Sequence, residues 1–168
     1  HAPGFRWLHE SFGTNWRMLE MQAVIGRIQL QRMAGWTATR TRYAEQIWAA
    51  CRSHSALHVP EVPANVQHAH YKCYAYVRPE QLAAGWNRDR IVAAINALGV
   101  PCYQGSCSEV YLEKAFDGTG WRPAAPLPAA HALGATSMMF LVHPTLTQAE
   151  VDKTCAVIAQ VMQQATAA

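Results

Sequence analysis

Apolar residues recur at three- and four-residue intervals from about Glu20 to Cys51, through Met21, Val24, Ile25, Ile28, Met33, Trp36, Ile47 and Trp48. That is the period of a helix with one face turned to a core. No proline interrupts the stretch, and Gly26 and Gly35 are interior glycines of the kind a helix tolerates at a cost of about 1 kcal/mol each. Arg40, Arg42 and Glu45 read as a solvated face with helix-spaced ion pairs. A loop from Ser53 to Asn65, held extended by Pro60 and Pro63, leads into a run from Ala69 to Val77 that alternates aromatic with smaller residues, as a strand does. His68 and His70 then point to one face of it. Trp86 or Asn87 begins the next helix, with Ile91, Ile95 and Leu98 as its apolar stripe and Gly99 at its end. Gly99-Val100-Pro101 turns into a short strand around Cys102 to Gln104. Ser137 to His143, an apolar run closed by Pro144, predicts a buried strand. Thr147 with Glu150 forms a capping box for a last helix, whose apolar positions are Ala149, Val151, Ala156, Ile158, Ala159 and Met162.

The order long helix, strand, helix, strand, strand, helix predicts an α+β fold in which a long N-terminal helix leads into a small two-layer domain with a largely antiparallel sheet. The chain divides into residues 1–19, a segment broken by Pro3 and Gly4 that ends in a polar loop; 20–52, the connecting helix; and 53–168, the small domain.

Composition narrows the classes. The net charge of +3 comes without Lys/Arg blocks, so nothing points to a nucleic-acid or membrane-surface partner. No apolar run is long enough to span a bilayer and no secretory signal pattern is present, so a cytoplasmic protein is expected. Five cysteines, an odd number without a C-x-x-C pair, argue against a disulfide framework. Cys102 and Cys107 lie close in sequence, yet no second pair matches them, and buried reduced thiols are expected in preference to a metal site.

The chemistry gathers in Phe12 to Met33. Gly13, Thr14 and Asn15 are small residues suited to helix starts, and Trp16 and Arg17 follow them. An amide, a flat aromatic and a guanidinium at a helix entrance suit an anionic group such as a phosphate. The plain alternative is a helix cap.

The order G-x-N-x-R-M-x-E-M-Q-A-x-I-G-x-x-Q-L, carried by Gly13, Asn15, Arg17, Met18, Glu20, Met21, Gln22, Ala23, Ile25, Gly26, Gln29 and Leu30, resembles the signature of the DegT/DnrJ/StrS sugar aminotransferases, which are pyridoxal-phosphate enzymes. Trp16 replaces the family's usual Tyr or Phe. Thr14 stands in an aromatic position and Leu19 in that of a capping Thr or Ser. The runs HAHYKCYAYV, RDRIVAAINALGV, CSEVYLEKAF and LPAAHAL also resemble family segments, in family order. The resemblance implies the C-terminal small domain of a fold-type I aminotransferase, with residues 1–19 left from the large domain and the motif loop.

The same resemblance implies site residues. Asn15 would reach the cofactor phosphate of a partner subunit, in trans. Trp16 and Arg17 would sit beside it at the subunit interface as substrate contacts, although a structural ion pair suits Arg17 equally. His68, His70 and Tyr71 are candidates for the substrate cleft, against the plainer expectation that a strand histidine only bonds a neighbour. The family's Schiff-base lysine lies upstream of the motif, and Lys72, Lys114 and Lys153 do not occupy its position. The implied function is therefore the C-terminal part of an enzyme that moves an amino group from glutamate or another donor to a ketosugar, normally nucleotide-linked, for polysaccharide or glycan biosynthesis. Dehydration on a related cofactor also occurs in the family. No catalytic residue is expected on this chain, pyridoxal 5'-phosphate is not expected to be held covalently by it, and it is expected to be inactive alone. A homodimer through the motif loop and long helix is implied, and an isolated small domain should self-associate through that helix. The alternative is a non-catalytic binding or dimerisation module of the same family, with Trp7, Trp16 and Trp36 as interface anchors.

Overall fold

The computed structural model describes residues 16–106 and 108–166. The chain forms two compact units, His1–Ala34 and Gly35–Ala168. Helix α1, Glu20–Arg52, begins in the first and ends in the second, within a residue of its expected span. At its start the Leu19 N–H donates to Gln22 Oε1 at 2.9 Å, occupying one backbone donor that the helix leaves unpaired. In the first unit Met21, Val24, Ile25, Ile28 and Met33 are exposed, although their spacing is that of a buried stripe.

The second unit is built on a four-stranded sheet, β1 (Leu57–His58), β2 (Cys73–Val77), β3 (Cys102–Tyr103) and β4 (Ser137–Phe140), in the order β1-β2-β4-β3. Every pairing is antiparallel, as the α+β expectation required. The period of two sorts the side chains. Cys73, Ala75 and Val77 of β2 are buried while Tyr74 and Tyr76 are half-buried on the opposite face. Register extends the sorting across the sheet: Val77 pairs with Leu57, Ala75 with Met138, and Cys73 with Phe140, which pairs in turn with Cys102. All of these join one hydrophobic core. The other row runs His58, Tyr76, Ser137 and then Tyr74, Met139, Tyr103.

Helices complete the core. Tyr43, Ile47, Trp48 and Cys51 come from α1, and Ile91 and Ile95 from α2, Arg88–Ala97. After α3, Pro128–Thr136, the last helix α4, Gln148–Thr166, adds Val151, Ile158, Val161 and Met162. Asn87 caps α2, its Oδ1 accepting the Arg90 N–H at 2.9 Å, and Thr147 and Glu150 make the expected box: the Thr147 N–H donates to Glu150 Oε2 at 2.7 Å and the Glu150 N–H to Thr147 Oγ1 at 3.3 Å. Cys51, Cys73 and Cys102 are buried free thiols. Burial, first among the causes, pushes Cys51 and Cys102 up to about 12 and Cys73 in the same direction, so all three stay protonated. Cys107 lies outside the described residues.

Several expectations need correction. The strand from Ala69 begins only at Cys73, because His70 adopts φ 46° and a left-handed residue breaks an extended ladder. His68 and His70 are therefore in a loop, not on one strand face. The strand from Ser137 stops at Phe140, with Leu141 to His143 outside it. Strand β1 and helix α3 were not expected: one has two residues, and the other opens on Pro128, which suits the first helical turn. Leu98 is exposed and caps α2 in place of packing beneath it.

Candidate functional site

The second unit carries a cleft of about 520 Å³. Its position follows from the strand alternation: Lys72, Tyr74 and Tyr76 share one parity along the chain, and all three line it. Trp48 of α1 closes another side, and its indole N–H donates to the Tyr74 carbonyl at 2.8 Å, fixing the helix to the strand. Pro60, Val62, Pro63 and Val66 supply an apolar wall from the loop before β2. The expected loop residues Pro60 and Pro63 thus become cleft wall.

The polar side is a small clamp. Lys72 Nζ donates to Ser106 Oγ at 3.1 Å, Ser106 Oγ lies 3.1 Å from the Tyr74 hydroxyl, and the Ser106 N–H donates to that hydroxyl at 3.1 Å. Gly105 makes this approach possible, since its φ is +97° and an added Cβ would meet Tyr74 Cε1 at 2.6 Å. Burial, with Tyr74 as a lesser cause, raises the Tyr76 phenol, so Tyr76 offers a protonated hydroxyl at neutral pH. Aromatic faces beside one ammonium, one carboxylate (Glu61), an imidazole and hydroxyls suit a polar ligand that carries a flat or apolar portion.

Of the expected site residues, the structure brings two together here. His68 and Tyr71 both line the cleft. Both are exposed, and the Arg40 guanidinium lies 6.0 Å from the Tyr71 ring centroid. His70 does not line the cleft. It is buried, 3% exposed, with its ring 5.1 Å from Trp48 and 4.4 Å from His68. Trp16 and Arg17 lie in the first unit, in the coil before α1, and Trp16 is 88% exposed. Asn15 lies outside the described residues.

Lys72, Tyr74, Tyr76, Trp48 and Ser106 were missed. Parity along HAHYKCYAYV held the signal for the first three. Ser106 and Trp48 are placed by tertiary contacts that no local pattern records. Among the described residues, no group of three or more His, Cys, Asp or Glu stands together as a metal site, and no helix is long and apolar enough to cross a membrane.

Pyridoxal phosphate requires an amine for its aldehyde, a carboxylate at its ring nitrogen and clustered donors for its phosphate. The described cleft does not fit that set. Its one lysine is engaged by Ser106, and none of its lining residues opens a helix that could receive a phosphate.

Comparison with known proteins gives a consistent outcome. The model of the DegT/DnrJ/EryC1/StrS aminotransferase family matches residues 2–159. An aminotransferase from Psychrobacter cryohalolentis is 57% identical, with a TM-score of 0.85 over 98% of this chain and 44% of its own. The aminotransferase TlmJ from Streptoalloteichus hindustanus shares the fold at 18% identity, with a TM-score of 0.77 over 92% of this chain and 39% of its own. The erythromycin biosynthesis sensory transduction protein EryC1 of Saccharopolyspora erythraea is 25% identical over 153 residues, 91% of this chain and 39% of its own length. The chain therefore spans less than half the length of these relatives. With a family match over nearly all its residues and this fold, the chain belongs to the DegT/DnrJ/EryC1/StrS aminotransferase family.

Proposed function

We propose that the chain forms the C-terminal small domain of a pyridoxal-phosphate-dependent aminotransferase that transfers an amino group to a ketosugar, normally nucleotide-linked, in polysaccharide or glycan biosynthesis. The observation that carries this reading is the meeting of His68 and Tyr71 on one aromatic cleft in a chain of this family. The Schiff-base lysine belongs to the large domain, so the chain alone is inactive and binds no cofactor covalently. Asn15 contributes to the cofactor phosphate of a partner subunit, and Trp16 and Arg17 stand beside it in a cytoplasmic homodimer formed through the motif loop and α1. Within the cleft, Tyr71 and His68 contact the sugar, while the Lys72–Ser106–Tyr74 clamp holds the wall in shape.

A chimera tests this. The equivalent part of the Psychrobacter aminotransferase is replaced by this chain, and the absorbance of bound cofactor is followed on adding glutamate. Conversion to the amine form, with Tyr71→Ala raising KM for the ketosugar by roughly tenfold, the equivalent of one lost hydrogen bond of about 1.4 kcal/mol, is the expected outcome. A folded chimera that binds the cofactor but never converts it would leave the binding-module reading in its place. Borohydride reduction of this chain with pyridoxal phosphate supplies a second check: stoichiometric labelling of Lys72 would overturn the assignment of the lysine to the large domain.

A further inference from the structure

His70 is the one non-glycine residue with positive φ among the described residues. Such a backbone is uncommon outside glycine and persists where the surroundings over-determine it. Here the surroundings are specific. The imidazole is 3% exposed and meets the Trp48 ring at 5.1 Å and 67°, and Trp48 is itself tied to the Tyr74 carbonyl. Glycine would satisfy the backbone angle alone. The buried ring adds an anchor that glycine lacks.

The left-handed turn aims the His70 N–H at His68 Nδ1, 3.0 Å away. A ring nitrogen that accepts an N–H carries no proton, so the neutral His68 ring must carry its proton on Nε2. His68 is exposed on the cleft wall. His70 touches no ligand space, and its own Nδ1 is buried without a hydrogen-bond partner.

We propose that His70 is a positioning residue: its anchored left-handed turn locks His68 as the Nε2–H tautomer and so presents a fixed hydrogen-bond donor to an acceptor oxygen of the ligand in the cleft. The ligand half of this statement rests on the cleft being the site of a nucleotide-linked sugar; the tautomer lock does not. Without the turn, His68 would exchange between donor and acceptor at both nitrogens, and a ligand would have to select one form at a cost in affinity.

The test is spectroscopic. With the full chain labelled with nitrogen-15 in histidine, long-range proton–nitrogen correlations at mildly alkaline pH distinguish the tautomers of each ring. His68 is expected as a single Nε2–H form, and His70→Gly, which keeps the permitted backbone but drops the anchor, is expected to release it into a mixture. Mixed tautomers in the unaltered chain, or an unchanged single form in folded His70→Gly, would overturn the lock; a ring that only fills space predicts the latter. UDP titrated into the same sample reports on the ligand separately. A saturable shift of the His68 Nε2 signal supports the donor role. A fixed tautomer with no shift at any UDP concentration overturns the ligand half, and with it the nucleotide-sugar reading of the cleft, while leaving the lock standing.

Discussion

Gly105 shows how much of the cleft depends on a missing side chain. Its φ of +97° and the 2.6 Å approach of a would-be Cβ to Tyr74 mean that Gly105→Ala strains the backbone and pushes the tyrosine out of its clamp. A loss of roughly 1–3 kcal/mol is expected, on the usual cost of such a conformation, measured as a shift in the urea midpoint at constant slope. A neutral substitution would show that the loop is held by other contacts. His70 yields a pH signature. Burial, then the adjacent His68, hold its imidazole below the ordinary 6.5, with Glu45 opposing. The unfolded chain therefore takes up the proton first. The stability His70 contributes is whole above 6.5 and is lost as pH falls through the lower folded value. Urea midpoints measured downward from pH 6.5 should fall more steeply for the native chain than for His70→Asn, and parallel curves would refute the buried neutral state. Neither residue announced its role in the sequence. Gly105 follows a strand as many turn glycines do, and His70 continues an aromatic alternation that its backbone then breaks.

Elements with local punctuation were legible. Asn87 and Gly99 bracket α2, and Thr147 with Glu150 opens α4, because capping is settled within a few residues of chain. In that box the Thr147 backbone N–H, then its hydroxyl, hold the Glu150 carboxyl below its ordinary range. Thr147→Ala removes the side-chain acceptor and is expected to destabilise the unit by about 1 kcal/mol, readable as a lower thermal midpoint; Thr147→Ser should restore most of it. Strand limits were less legible, since pairing partners decide where a ladder ends. β2 begins where Cys73 meets Phe140, and β1 exists only because Leu57 and His58 lie along Val77 and Tyr76. No periodicity can be read from two residues.

For the whole molecule, fold class followed from the order of elements, and family from the spaced motif of Gly13 to Leu30. What the spacing could not show is the difference between the two ends of α1. Tyr43, Ile47 and Trp48 are buried, whereas Met21, Val24, Ile25 and Ile28 are 72%, 58%, 53% and 43% exposed. An amphipathic period reports that a face wants cover, not which body provides it. Exposed apolar surface of this kind drives association, so light scattering should give a mass above that of one chain, and Ile25→Lys with Ile28→Lys should return it to a monomer. A monomeric native chain would count against the helix as a contact surface.

The alternation along β2 separates two structural tasks within five residues. Positions 73, 75 and 77 answer to the core and positions 74 and 76, with Lys72 before them, to the cleft. Substitution at the even-numbered positions therefore reshapes the cleft, while the odd-numbered ones hold the core together. A library randomised at 73, 75 and 77 is expected to yield far fewer folded chains than one randomised at 76, which leaves both the core and the Lys72–Ser106–Tyr74 clamp in place.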